Sequence, residues 1–253
     1  MALTNFELTD YLNTLLKSNE ISDYCPNGLQ VEGATTISKI VTGVTASQAL
    51  IDRAIDSGAD TLIVHHGYFW KGENQAISGM KKNRIKALLQ HDINMYAYHL
   101  PLDVHNTYGN NQQLGSLLGI KEISAVEQVM PRGVLMQGRF EHGMSAQELQ
   151  SLLEVTLKRD VLMESPDNKL ISRVAWCTGG GQGFIEQAID AGVDAFITGE
   201  VSEQTIHTAR EMGVSFYAAG HHATERYGVK SLGKHLADTF GVDVTFIDIP
   251  NPA

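Results

Sequence analysis

Three short stretches of this 253-residue chain concentrate imidazole, two of them with a carboxylate close by. His65-His66 closes the apolar run Thr61-Leu-Ile-Val64; His99 and Asp103 flank Leu-Pro-Leu; His221, His222 and Glu225 open the last predicted helix. Imidazole with carboxylate suits zinc, manganese, iron or nickel, whereas soft metals call for thiolates. The four-residue step from His221 to Glu225 puts both side chains on one helix face. Pro101 argues against a helical register between His99 and Asp103 and predicts a loop there. A carboxylate has two oxygens and can bridge two ions. Five ligands, His65, His66, Asp103, His221 and Glu225, therefore fit a pair of divalent cations and leave coordination positions for water.

Taken singly, each group has a plainer reading. Adjacent histidines in a strand point to opposite faces, and a lone His-x-x-x-Glu is commonly a solvated helix face. The plainer reading stands for His91, His105, His142, His207 and His235, expected as ordinary surface residues, while His222 is expected either to support the ligands from behind or to be structural.

What unites the three stretches is a repeat. Lys39–His66 aligns with Arg173–Glu200 without a gap, at a constant offset of 134. Gln48 falls on Gln182, Ile51 on Ile185, Ala54-Ile55-Asp56 on Ala188-Ile189-Asp190, Gly58 on Gly192, Asp60 on Asp194 and Ile63 on Ile197. Each copy reads as a strand, a turn, a helix with apolar positions at 3.6 spacing, a glycine at the helix C-cap and a buried parallel strand. Downstream, residues 92–98 and 213–219 read as matching strands after helices 81–90 and 203–212. The expected fold is α/β, two similar halves from an internal duplication, 1–125 and 126–253, with sheets flanked by helices. Ligands of open α/β sheets gather beyond the carboxyl ends of the strands, where all three signatures fall.

The turn Thr178-Gly-Gly-Gly-Gln-Gly183 lies at a strand-to-helix junction. Its N–H groups at Gly179, Gly180 and Gly181 could hold a substrate phosphate, or the glycines could serve close packing. Glu200, opposite His66 in the repeat, is expected beside the site. Thr4-x-x-Glu7 and Ser145-x-x-Glu148 have capping-box spacing ahead of leucine-rich helices.

The formal charge of -10 argues against non-specific nucleic-acid binding. Two distant cysteines, Cys25 and Cys177, read as free thiols of a reducing compartment. Neither a signal peptide nor a run of roughly 20 apolar residues is legible, so no membrane association and a cytoplasmic location are expected.

The stretches NGLQVEG, GVTASQAL, VHHGYFWKG, HLPLD, CTGGGQ, FITGEVSEQTIH and AAGHHATER resemble the YbgI-type, NIF-three-like proteins, often labelled GTP cyclohydrolase I type 2 homologs. The likeness covers essentially the whole chain. It implies two similar α/β domains, a dinuclear metal centre between them and a hexameric ring. The family's ligand motifs map onto His65, His66, Asp103, His221 and Glu225, with His99 beside the centre as a further ligand or a proton carrier. The expected function is metal-dependent hydrolysis of a nucleotide or phosphorylated small molecule. The alternative is a non-catalytic metal-holding ring that acts as an interaction scaffold or adaptor.

Overall fold

Alternation of side chains along three neighbouring strands organises the first part of the molecule. Ile40, Val44, Ile63, Tyr96 and Tyr98 lie in one buried cluster, and Val41, Leu62, Val64, Met95 and Ala97 in another. A sheet buried on both faces reads as near-continuous apolar sequence, as these strands do. The computed structural model describes residues 2–167 and 169–253. The chain divides into two compact units, Met1–Leu102 with Gly228–Pro250, and Asp103–Tyr227 with Asn251–Ala253.

In the first unit a five-stranded sheet runs Asp243–Phe246, Lys39–Thr45, Thr61–His66, Asn94–Ala97 and Gly28–Val31, with the first four parallel and the last antiparallel. Helix Asn5–Leu16 packs Leu8, Leu12 and Leu16 against one face of it, joined by Val229, Leu232 and Leu236 of helix Arg226–Phe240. Burial of each leucine is worth about 1.5–3 kcal/mol. Helices Gln48–Asp56 and Gly79–Gln90 cover the other face through Leu50, Ile51, Ala54, Ile85 and Leu88.

The second unit holds a six-stranded sheet in the order Lys121–Ala125, Met136–Met144, Ile171–Cys177, Ala195–Thr198, Ser215–Ala218, Leu162–Glu164. Its three middle strands, from Ile171–Cys177 to Ser215–Ala218, are parallel. Trp176 is fully buried and donates its indole N–H to the Asn111 carbonyl at 2.8 Å. Both capping boxes form: Glu7 N–H donates to Thr4 Oγ1, and Glu148 N–H to Ser145 Oγ, each at 3.2 Å.

The aligned positions of the two units make the same hydrogen bonds. Asp60 Oδ2 accepts the N–H groups of Ser38 and Lys39, and Asp194 Oδ2 those of Ser172 and Arg173. Gly58 and Gly192 end their helices at φ +70° and +71°. The strand pairs Ile40–Thr61 and Val174–Ala195 share one register at the offset of the repeat.

The compact units do not coincide with the halves 1–125 and 126–253. Strand Lys121–Ala125 pairs with Met136–Met144 in the second unit, and Leu114 and Leu118 pack in the cluster of Trp176. The C-terminal strand Asp243–Phe246 instead completes the first sheet beside Lys39–Thr45. Hydrophobic strand and helix faces recruit these segments to the sheet that buries them, whatever their place in the chain. Among the described residues, no helix is long and apolar enough to cross a membrane.

Candidate metal centre

In the first unit the strand Thr61–His66 ends in the two histidines, and the stretch after Asn94–Ala97 delivers a third. His65, His66 and His99 offer ring nitrogens that all lie within 4.8 Å of one another. Ring centroids are 4.5 Å apart for His65–His66 and 5.1 Å for His65–His99. The opposite-face objection to two adjacent histidines thus does not apply at this strand end. Gly67 follows them because a Cβ there would lie 2.3 Å from Gln30 Oε1 and 2.5 Å from Ala97 Cβ.

Each of these rings is oriented by its other nitrogen. His65 is fully buried, and its Nδ1 donates to the Tyr98 carbonyl at 3.0 Å, which leaves the lone pair on Nε2. His66 Nδ1 meets Thr45 Oγ1 at 3.1 Å, across the strand pair. His99 Nδ1 donates to Asp23 Oδ1 at 2.7 Å, and Trp70 packs edge-on against its ring. Burial works to raise the Asp23 carboxyl, but His99, Asn27 and the Tyr24 N–H outweigh it and hold it below the usual value.

Residues Leu100–Asp103 form a single helical turn in place of the expected loop. Pro101 sits in the first turn, where a missing N–H costs nothing, and Leu102 N–H bonds the His99 carbonyl at 2.8 Å.

In the second unit Asp103 and Glu225 are buried carboxylates, 6% and 2% exposed. Asp103 Oδ1 accepts from Asn110 Nδ2 at 2.9 Å and from Thr178 Oγ1 at 3.3 Å. His221 opens the one-turn helix His221–Thr224, whose C-cap is Glu225. The pair meets at 3.1 Å between Nε2 and Oε2, while His221 Nδ1 donates to Glu200 Oε1 at 2.7 Å. Burial works to lower the His221 imidazole; Glu225 and Glu200 overcome it and push it up to about 9. Cys177 lies close to the same acids. Burial, then the charges of Asp103 and Glu225, hold its thiol well above the ordinary value.

The glycine turn serves these acids. Gly179 has φ +67°, and a Cβ on it would lie 2.1 Å from Glu225 Oε1 and 3.1 Å from His221 Nε2. A Cβ on Gly181 would meet Cys177 Sγ at 2.5 Å, and one on Gly180 would meet only Glu200, at 3.6 Å. The expectation that Gly179, Gly180 and Gly181 cradle a phosphate needs correction, because two of the donors are committed. Gly179 N–H donates to Thr224 Oγ1 at 3.0 Å and Gly181 N–H to Thr198 Oγ1 at 3.1 Å. The turn is a close-packing device under Glu225 and His221.

Taken unit by unit, the structure brings His65, His66 and His99 together in one, and gathers His221, Glu225 and Asp103 about Thr178-Gly179 in the other. The group His65, His66 and His99 could hold a metal ion, and Asp103, His221 and Glu225 each belong to a His and carboxylate group that could do so. The donor set fits one: His65, His99 and His221 each tie Nδ1 to an oxygen acceptor, the outer-shell arrangement that fixes metal-binding imidazoles with Nε2 presented. Sequence reasoning missed Asp23, Asn110 and Thr178, whose roles depend on contacts between segments far apart in the chain.

The sequence model of the family described as Duf34/NIF3 (NGG1p interacting factor 3) matches residues 3–252. A Yersinia pestis protein named GTP cyclohydrolase 1 type 2 homolog is 57% identical over 254 residues, covering 99% of this chain and 100% of its own. Its namesake in Escherichia coli (strain K12) is 57% identical over 252 residues, with the same coverage. Among solved structures, the protein ybgI, described as of unknown function, matches with TM-score 0.95 at 56% identity, covering 99% of this chain and 100% of that one. The protein TTHA1606 from Thermus thermophilus matches with TM-score 0.91 at 33% identity over the same shares of the two chains. On this sequence match and this likeness of fold, the chain belongs to the Duf34/NIF3 (NGG1p interacting factor 3) family.

Proposed function

We propose that this protein binds two divalent cations through His65, His66, Asp103, His221 and Glu225 and hydrolyses a small nucleotide or phosphorylated substrate with their help. The observation that carries the reading is the tautomer pattern. His65 and His221 each hold an acceptor oxygen on Nδ1, at 3.0 and 2.7 Å, so Nε2 is the atom through which each would hold a cation. Buried Asp103 and Glu225 add oxygen donors whose charge favours cations at the same centre.

When bound, such ions supply Lewis acidity that polarises the electrophile and brings water toward deprotonation near neutral pH. The chain's own contribution is placement and proton handling. Thr178 and Asn110 hold Asp103 Oδ1 in place, and Gly179 leaves the room that Glu225 needs. His99, grouped with His65 and His66, would serve beside the centre as a further ligand or a proton carrier.

The test loads purified protein with Zn²⁺, Mn²⁺, Fe²⁺ or Ni²⁺, counts metal by mass spectrometry, and screens nucleotides and phosphoesters with wild type and Glu225→Gln. GTP belongs in that screen because curated relatives are named for it. Turnover lost in Glu225→Gln supports the hydrolase. Two metals per chain without turnover in any condition would leave a metal-binding ring and end the catalytic reading. No metal uptake would end both.

A further inference from the structure

The loop Asp23–Asn27 is engaged with His99 far more fully than a surface turn requires. Asp23 is buried at its side chain, 2% exposed, beside a His99 ring that is 15% exposed. Its Oδ1 accepts from His99 Nδ1 at 2.7 Å and from the Tyr24 N–H at 2.6 Å. Its Oδ2 accepts from the Leu100 N–H and from Asn27 Nδ2, both at 2.9 Å. Asn27 Oδ1 in turn accepts the His99 N–H at 2.7 Å. Side chain and backbone of residues 99–100 are therefore clamped by two residues more than 70 positions earlier. A carboxylate that already receives three other donors can only accept from His99, so the Nδ1 proton is specified. The ring atom that remains for the group with His65 and His66 is Nε2.

We infer that Asp23 is a positioning residue: it fixes His99 in the Nδ1–H tautomer and turns its Nε2 lone pair toward a cation held at His65 and His66. This rests on the metal-binding reading above and extends it to a residue outside the ligand set. Outer-shell carboxylates of this kind orient the imidazole and raise its basicity, and their loss typically lowers metal affinity roughly 10- to 100-fold.

The experiment uses full-length protein labelled with ¹⁵N-histidine and records two-bond ¹H–¹⁵N spectra over a rising pH series, the tautomer being read from the neutral form of each ring. His99→Gln identifies the His99 signals. Wild type is expected to carry the His99 proton on Nδ1, and Zn²⁺ is expected to shift the His99 Nε2 resonance while Nδ1 stays protonated. In Asp23→Asn the tautomer preference should be lost while His65, held by the Tyr98 carbonyl, keeps its pattern. Zn²⁺ affinity should fall by roughly 10- to 100-fold in that variant.

A proton on Nε2 of His99 in wild type would overturn the inference even if Asp23→Asn did not fold. An unchanged tautomer and affinity in a folded Asp23→Asn would also overturn it. Zn²⁺ shifts at His65 and His221 with none at His99 would sink this inference alone. Absence of shifts at every histidine would sink the metal reading with it.

Discussion

Replacing Gly179 by alanine probes the packing beneath the carboxylate and imidazole of the second unit. Two costs are expected. At φ +67° any L side chain sits in the left-handed region, a penalty of about 1–2 kcal/mol. The new methyl would also lie 2.1 Å from Glu225 Oε1, 3.0 Å from Glu225 Cδ and 3.1 Å from His221 Nε2. Glu225 is 2% exposed and cannot swing into solvent freely, so overpacking adds about 1–3 kcal/mol. Gly58 supplies the control: its φ is +70°, and nothing lies within 4 Å of its built Cβ. Gly58→Ala should therefore pay the backbone term alone. In urea unfolding, Gly179→Ala should lose about 2–5 kcal/mol against about 1–2 for Gly58→Ala. Calorimetric Zn²⁺ titration should show weakened binding only for Gly179→Ala, because the methyl displaces two proposed ligands. Equal stability of the two variants, with equal metal uptake, would refute the claim that the turn is shaped around Glu225 and His221.

Three further expectations can be measured directly. Cys25 is 8% exposed, and burial, with a smaller push from Asp23, raises its thiol to about 12; at about pH 8 the native protein should react with a thiol reagent roughly a thousandfold more slowly than unfolded chain, and a fast native reaction would contradict that burial. Ser145→Ala removes the hydroxyl that caps helix Ala146–Leu157 and should cost about 1 kcal/mol in denaturant titration, with no change in metal uptake. For the expected hexamer, light scattering should return about six times the 27.7 kDa chain mass, and a value of one or two chains would remove the ring from consideration.

Local signals carried much of this structure. The capping boxes at Thr4 and Ser145 depend on residues three apart, and both formed as read. The apolar strands, and the helix Glu203–Met212, follow from periodicity within one segment. What was illegible depends on distant partners. The separation of Asp23 from His99 is 76 residues, and nothing in Asp-Tyr-Cys-Pro announces a contact at that range. Pro101 misled because proline forbids a helix interior while suiting a first turn, and a one-turn helix has no interior. The glycine turn looked like an anion cradle because sequence gives N–H groups but not their acceptors; Thr198 and Thr224 come from elsewhere in the unit. The boundary at Leu102 was hidden because the C-terminal helix and strand return to the first sheet after the second is complete.

The bonds from Asp60 to the amides of Ser38 and Lys39 act well away from any imidazole. They pin how strand Thr61–His66 slides against Lys39–Thr45, and the strand then runs about 13 Å from Thr61 to the first of its terminal pair. A slip of one position would exchange inward and outward side chains along the whole length, sending His65 where His66 now points. A carboxylate at the opposite end of the strand thus acts as the stop that aims both rings, and damage there would be felt as misdirected chemistry at the other end.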